Sequence, residues 1–222
     1  MWFYLLTLNH KVLLMKEQQD YIRDIAEMRS LMERSSKFLS LSGLAGIMAG
    51  IYALIGAYIA YKFFYFSPDE ITYSTTESGS FSASLLQVII LAIIILILAL
   101  GTAIVLSYKK ANKRREKFWN PTAKRLLINM AVPLVAGGLL ILIMISQGLI
   151  GLIAPFTLLF YGLALYNASK FTYAEVRSLG LIEMGLGLIS SYFVGYGLLF
   201  WALGFGVLHI IYGIYMHYRY ER

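Results

Sequence analysis

Long apolar runs separated by short polar segments dominate the pattern of this 222-residue chain. A helix that crosses the roughly 30 Å hydrocarbon layer of a membrane needs about 20 mostly apolar residues. Six stretches approach this length and are predicted to be membrane-spanning helices: Phe38–Tyr61, Leu85–Leu106, Leu126–Ile145, Leu149–Asn167, Leu179–Val194 and Gly197–Met216. The pattern therefore predicts an all-α integral membrane protein, with a bundle of six transmembrane helices over residues 38–216.

The fifth stretch is the shortest, and only the residues around Gly195 separate it from the sixth. Two interpretations fit this pattern. The fifth stretch either crosses the membrane and turns back in a tight hairpin, or it enters and leaves on the same side as a re-entrant segment.

Composition supports a membrane protein and excludes other classes. The chain is 59% hydrophobic and 14% charged, with no cysteine, whereas soluble domains average roughly 45–50% apolar and about 25% charged residues. A chain of this length cannot bury that much apolar surface in a soluble core. A soluble enzyme, a disordered chain and a disulfide-stapled secreted module are therefore excluded.

The net charge of +7 reflects an uneven distribution of basic residues. If both termini are cytoplasmic, all of the 19 Lys and Arg residues except Lys62 fall on the cytoplasmic side, as expected when basic loops stay inside. The predicted outer loop, residues 63–84, instead contains Asp69, Glu70 and Glu77. The sequence thus predicts a bacterial inner-membrane protein with a cytoplasmic segment 1–37 and a cytoplasmic tail 217–222.

The segment before the first predicted span has two parts. Residues 1–14 are too short to span a membrane and lack the features of a signal peptide, so either they lie at the membrane interface or the natural chain starts at Met15. Residues 15–37 have helical periodicity, with apolar residues at Tyr21, Ile25 and Met28. This helix is interpreted either as a solvated juxtamembrane helix or as a short coiled-coil seam that binds a second copy or a cytosolic protein.

The loop before the third span is the most basic part of the chain. Because basic residues at this level are attracted to anionic lipids of the inner leaflet, six of them are predicted to contact lipid headgroups: Lys109, Lys110, Lys113, Arg114, Arg115 and Lys117. No nucleic-acid-binding motif accompanies this patch, so nucleic acid is not an expected partner. At its end, Asn120 and Pro121 predict a helix cap followed by the first helical residue.

The first predicted span carries small residues at helical spacing. Ser42, Gly46 and Gly50 lie four residues apart, and Ala49 and Ala53 belong to a second row beside them. Small residues at this spacing let two helices approach closely within a membrane. The partner helix is either a neighbouring span of the same chain or the first span of a second copy in a homodimer.

Polar residues at membrane depth define the candidate site. Glu183 is the one carboxylate inside a predicted span, and an antiparallel hairpin of spans five and six brings His209 to a similar depth. Asn129 and Asn167 are predicted in the same inner layer. This layer is interpreted either as a protonatable site lining a cavity, because intramembrane ionisable residues mark ion and proton pathways, or as a hydrogen-bonded clamp between helices.

No catalytic constellation emerges from the sequence. The chain has no cysteine and no His or Glu spacing typical of a metal site, so no metal and no cofactor are expected. A serine hydrolase is also not expected, because Ser190 and Ser191 are predicted at the opposite end of the bundle from His209.

One stretch carries a resemblance to a known group. Residues 32–58, MERSSKFLSLSGLAGIMAGIYALIGAY, resemble the N-terminal signature of an uncharacterised family of small multi-pass bacterial membrane proteins. The resemblance implies a small multi-pass protein and no assigned activity, and an association of the family with a regulator gene favours a signalling role. The function expected first is a sensory or accessory membrane protein that binds a cytosolic or membrane partner. The alternative is a small proton-linked transporter or channel that uses Glu183 and His209.

Overall fold

The computed structural model describes residues 21–25, 28, 37–66 and 83–221, and the regular structure within these ranges is entirely helical. The chain divides into two units, residues 1–37 and 38–222. In the first unit, residues 21–25 and 28 are helical and exposed, as predicted for this part of 15–37. The remainder of that helix, residues 1–14 and most of the predicted outer loop lie outside the described residues.

The second unit contains the apolar helices. Its α-helices are α1 Gly43–Lys62, α2 Ala83–Lys113, α3 Pro121–Ser146, α4 Ile153–Ala168, α5 Glu175–Tyr192, α6 Gly197–Trp201 and α7 His209–Tyr220. Single 3₁₀ turns precede α4, follow α4 and precede α6. A π-helical segment, Ala202–Leu208, joins α6 to α7. We call the continuous element Gly197–Tyr220 the last helix.

Successive helices of this unit run in opposite directions. Gly43 at the start of α1 lies against His217 near the end of the last helix, and Gly50 lies against Gly206 further along both helices. At the other end of the bundle, Leu85 from the start of α2 shares an apolar cluster with Ile150, which precedes α4. The starts of α1, α3 and α5 therefore gather at one end, which we call the basic end.

The basic end contains every described Lys and Arg residue from position 38 onward except Lys62. Lys62 closes α1 at the opposite end. The charge asymmetry inferred from the sequence is thus an asymmetry between the two ends of the folded bundle.

Five helices are long and apolar enough to cross a membrane. They are Gly43–Lys62, Leu85–Lys113, Pro121–Ser146, Ile150–Phe171 and Val194–Tyr220. Helix α5 is not among them, because its 18 residues include Glu175, Arg177 and Glu183. The predicted fifth span also has shifted bounds, since the helix covers Glu175–Tyr192 rather than Leu179–Val194.

The first span begins at Gly43 rather than at the predicted Phe38. Residues 38–42 form no helix but an irregular segment, which we call the strap. The N–H of Phe38 donates to Phe171 O (2.6 Å), and the Phe38 carbonyl accepts from Thr172 Oγ1 (2.8 Å). These bonds to the α4–α5 connection take the place of a first helical turn, so the first helix of this unit begins only at Gly43.

Helix boundaries next to the basic loop also differ from the prediction. Helix α2 continues to Lys113, well beyond the predicted end at Leu106. The predicted cap of α3 is confirmed, because Asn120 Oδ1 accepts from Ala123 N (2.8 Å) and Pro121 is the first helical residue. This cap satisfies one of the backbone N–H groups that an α-helix leaves free at its start.

Two of the six basic residues predicted to contact lipid bind the protein itself. Lys110 Nζ donates to the carbonyl of Leu41 in the strap, and Arg114 donates to Leu39 O (3.0 Å) and Tyr220 O (3.2 Å). These two side chains therefore hold the strap against the bundle. The other four, Lys109, Lys113, Arg115 and Lys117, are exposed, and their contact with headgroups stays a prediction.

Glu221 closes the basic end. Its carboxylate accepts from Lys110 Nζ (2.8 Å), from the backbone N–H of Gly43 (2.7 Å) and from His217 Nδ1 (2.7 Å). Burial would raise the pKa of Glu221, but these three donors outweigh burial and lower the pKa to about 2. A single carboxylate thus joins α1, α2 and the last helix.

Glu221→Gln is expected to lower the free energy of unfolding by about 2 kcal/mol near neutral pH, because hydrogen bonds to a charged group are lost. Since the folded pKa is depressed, this stabilisation is complete above the unfolded value near 4.5 and disappears as pH falls toward 2. Thermal unfolding in detergent at a series of pH values measures the difference between variant and wild type. Glu116→Gln is the control, because among the described residues the Glu116 carboxylate accepts a single side-chain hydrogen bond, from Ser40 Oγ. An equal loss in both variants, or a difference that grows on acidification, would contradict this assignment.

Candidate functional site

Helix α5 presents one narrow face to its neighbours. Gly180, Glu183, Gly187 and Ser190 recur at spacings of three and four residues and are all buried. A Cβ atom at Gly180 would lie 2.7 Å from Gly162 O of α4. The two glycines of α5 thus bring its backbone against α4, and Glu183, which lies between them, is directed into the interface.

The side chain of Glu183 is fully enclosed. Its exposed fraction is 0%, and neither carboxylate oxygen has a hydrogen-bond partner. His209 Nδ1 lies 3.5 Å from Glu183 Oε1. The structure therefore places the two residues beside each other.

His209 is held at both ring nitrogens. Nδ1 lies 2.9 Å from Gly204 O, and Nε2 lies 2.8 Å from the hydroxyl of Tyr161 in α4. A carbonyl only accepts, so Nδ1 carries the proton in this arrangement, and Nε2 of a neutral ring accepts from Tyr161. We call Glu183, His209 and Tyr161 the polar triad.

The π segment shapes the position of the imidazole. The backbone N–H of His209 donates to Gly206 O at the end of this segment, whereas the imidazole N–H is directed back to Gly204 O. Single π-helical turns are rare and occur frequently at functional sites. The triad therefore lies next to an irregular part of the last helix rather than on a regular α-helix.

Gly204 makes room for the carboxylate. A Cβ atom at this position would lie 2.5 Å from Glu183 Oε2 and 2.4 Å from Leu158 Cδ2. Both distances are shorter than any ordinary contact between these atom types. Glu183 thus occupies the space that a side chain at position 204 would take.

Aromatic rings cover one side of the triad. Phe205 stacks on His209 at 5.8 Å between ring centroids and lies 4.9 Å from the Tyr161 ring. Trp201 extends this cluster through Phe205, at 5.1 Å. These rings surround the triad with apolar groups. The low local dielectric constant strengthens electrostatic interactions within the site.

Unpartnered buried oxygens are confined to one region of the described structure. Besides both oxygens of Glu183, they are Glu175 Oε2, Ser190 Oγ and Tyr212 OH. All of these residues belong to α5 or to α7. Most buried polar side-chain atoms in proteins have a hydrogen-bond partner, so a concentration of exceptions along one helix pair needs an explanation.

Asn129 and Asn167 do not join the triad. The Asn129 side chain is half-buried and donates to Arg125 O of its own helix (2.8 Å). Asn167 is half-buried near the end of α4, and none of the triad's hydrogen bonds involves it. Of the four residues predicted in the inner layer, Glu183 and His209 contact each other, and Tyr161 joins them.

The small residues of α1 contact the last helix of the same chain. A Cβ atom at Gly46 would lie 3.3 Å from His209 O, and one at Gly50 would lie 2.6 Å from Gly206 O. Ala53 is buried and Ala49 is half-buried. Ser42 precedes the helix without a side-chain capping bond. Close packing at the two glycines thus positions the π segment and His209.

Sequence reasoning missed Tyr161, Gly204 and Tyr212, and it considered Ser190 only as a nucleophile. The available signal for Tyr161 was a hydroxyl group near the middle of α4, and Gly204 is five residues before His209. Within the described ranges, no group of three His, Asp or Glu side chains has the geometry to hold a metal ion.

No family model, curated protein or solved structure matches this chain. The resemblance of residues 32–58 to an uncharacterised membrane family therefore stays a prediction. The fold defines a helical protein with five helices suited to crossing a membrane, and its activity has to be argued from the triad.

Proposed function

We propose that this protein is a small proton-linked transporter or channel in which Glu183 and His209 carry the proton. The observation that supports it is a fully buried carboxylate without a hydrogen-bond partner, 3.5 Å from an imidazole. An isolated charge in an apolar interior costs several kcal/mol. Glu183 therefore requires either a proton or a cationic neighbour. His209 in its protonated form can supply either of them.

The proposed topology is six spans with cytoplasmic termini in a bacterial inner membrane. Helix α5 packs against α4 and contains 18 residues, which extend about 27 Å. Its charged residues Glu175 and Arg177 lie at the basic end, where headgroups are within reach. The concentration of Lys and Arg at that end supports its assignment to the cytoplasm.

A purely structural clamp is the competing interpretation of the same residues. A clamp would use Glu183 to accept hydrogen bonds between helices, yet neither of its oxygens accepts one. The π segment and Gly204 also place the Glu183 carboxylate beside the imidazole of His209, where its oxygens have no hydrogen-bond partner. These features support a proton site over a clamp.

The unpartnered oxygens supply a route for the proton. Glu175 lies at the basic end, where its other oxygen accepts from Tyr220 (2.7 Å), and Tyr212 packs in the same apolar cluster as Tyr161. Ser190 lies about 10 Å beyond Glu183 along α5. Water molecules satisfy buried polar groups of this kind in many proteins, and water bound at these positions is part of the proposed route.

Glu183→Gln is expected to reduce proton flux into liposomes at least tenfold, because the amide cannot take up and release the proton. A pH-sensitive dye inside the liposomes reports the flux after an imposed pH difference. Glu116→Gln makes the same chemical change at an exposed site and should leave the flux unchanged. His209→Gln should reproduce the loss.

Two results would reject the proposal. Flux in Glu183→Gln equal to that of the wild type excludes a proton role for this carboxylate. Failure of both Glu183→Gln and His209→Gln to accumulate in the membrane, with Glu116→Gln accumulating normally, would support the clamp.

The sensory or accessory function stays a prediction. It depends on a partner for residues 15–37 and for the basic loop, and the described part of 15–37 is only residues 21–25, 28 and 37. Contacts with anionic lipids and with a cytosolic protein are likewise proposals that rest on the charge pattern.

A further inference from the structure

A large apolar groove separates α2 from α3. Its volume is about 650 Å³, and its walls come from α1, α2, α3, the start of α4 and the start of the last helix. None of its lining residues belongs to the polar triad, although Trp201 lines the groove and also contacts Phe205 beside the triad. The groove is therefore a different site from the proposed proton site.

The lining offers almost nothing to a polar ligand. No lining residue is charged, and the single hydroxyl, on Thr157, already donates to Ala154 O (2.7 Å). Small residues such as Gly56, Ala92 and Gly138 create the space between the helices. Apart from the indole N–H of Trp201, the side chains of the lining therefore offer apolar contact, which suits a hydrocarbon ligand.

Its depth corresponds to one leaflet of a membrane. In α2 the lining extends from Leu85, next to Phe66 at the opposite end, to Leu96. Eleven residues of helix correspond to about 16 Å, which is roughly half of the 30 Å hydrocarbon layer. An extended acyl chain of a lipid in that leaflet covers the same depth.

The size of the groove is that of a small-molecule site. Its volume of about 650 Å³ is within the range of roughly 300–1,000 Å³ found for such sites. A single acyl chain is a ligand of this class, and a span of a second copy is the competing occupant.

We propose that this groove binds one acyl chain of a membrane phospholipid, taken from the leaflet at the opposite end. The chain lies between α2 and α3 and completes the packing that these two helices do not make with each other. The headgroup remains at the membrane surface, near the end of α1.

Gly138 provides the test. A Cβ atom at this position meets nothing within 4 Å, and Gly138 lines the groove; Gly185 has equally open space but does not line it. Gly138→Leu should block the groove, whereas Gly185→Leu is a matched control with the same change on α5. Ala92→Phe fills the groove from the facing helix and serves as a second variant.

Native mass spectrometry of the full chain, purified from membranes in a mild detergent, counts the phospholipids that remain bound. Wild type and Gly185→Leu should each retain one phospholipid, and Gly138→Leu and Ala92→Phe should retain at least fivefold less while remaining folded by circular dichroism. Equal retention in all four proteins, or none in the wild type, would overturn the proposal. A wild-type dimer that dissociates in Gly138→Leu would also overturn it, because a second copy would then occupy the groove.

Discussion

Gly213→Ala should lower the free energy of unfolding by about 3 kcal/mol. The added Cβ atom would lie 2.6 Å from both Gly43 O and Ile47 N. Both contacts are backbone atoms of α1, so the steric clash can be relieved only if the whole helix moves. Overpacking of a close interface typically costs about 1–3 kcal/mol, and this site belongs at the upper end.

Gly101→Ala is the matched control for that change. Gly101 also lies inside a helix, but a Cβ atom there meets nothing within 4 Å. Alanine favours a helix over glycine by about 1 kcal/mol, so this variant should be as stable as the wild type or slightly more stable. Thermal unfolding in detergent measures both, and equal midpoints for the two variants would contradict the close packing of α1 on the last helix.

Gly204→Ala should be the second severe substitution, with a loss of about 2 kcal/mol and a displaced Glu183 carboxylate. The methyl group would require the space of Glu183 Oε2 and of Leu158 Cδ2. Proton flux should also fall, since the carboxylate can no longer stay beside His209. Gly185→Ala, on the same helix as Glu183 but in open space, should leave both properties unchanged.

A double-mutant cycle tests whether the Glu183 carboxylate causes the destabilisation by Gly204→Ala. In the background of Glu183→Ala, the same Gly204→Ala substitution should cost about 1 kcal/mol less, because one of the two side chains that obstruct the methyl group is gone. Coupling of this size is typical of residues in direct contact. Strict additivity of the two substitutions would show that Gly204 and Glu183 do not share this space.

The close approach of Glu183 and His209 could be predicted because it depends only on two antiparallel helices and a short connection. Counting residues from that connection gives the depth of each side chain. The rotation of a helix is harder to derive from an apolar sequence, since no polar face marks it. For this reason Tyr161 was missed, and the sequence did not show that the Asn129 side chain binds Arg125 O of its own helix.

Local irregularities account for most other differences. The π segment changes which residues face α4, and nothing in Ala202–Leu208 distinguishes it from an ordinary apolar helix. The strap departs from the helical prediction because hydrogen bonds to Phe171 and Thr172, more than 130 residues away in the chain, determine its path. Such long-range partners cannot be inferred from periodicity.

The small residues of α1 were predicted to pack either against a span of the same chain or against a second copy, and the fold distinguishes these two alternatives. Gly46 and Gly50 face Gly213 and Gly206 of the same chain. A homodimer formed through α1 would therefore need another face of this helix. Spacing alone predicted close packing, but the identity of the partner depended on the order of helices around the bundle.

Infrared difference spectroscopy between acidic and alkaline buffer tests most directly whether Glu183 binds and releases a proton inside the bundle. The wild type should show a protonated-carboxyl stretching band that disappears on alkalinisation, and this band should be missing in Glu183→Gln but present in Glu116→Gln. If the carboxyl bands of Glu183→Gln and wild type are identical, Glu183 does not exchange a proton, and the polar triad is not a proton site.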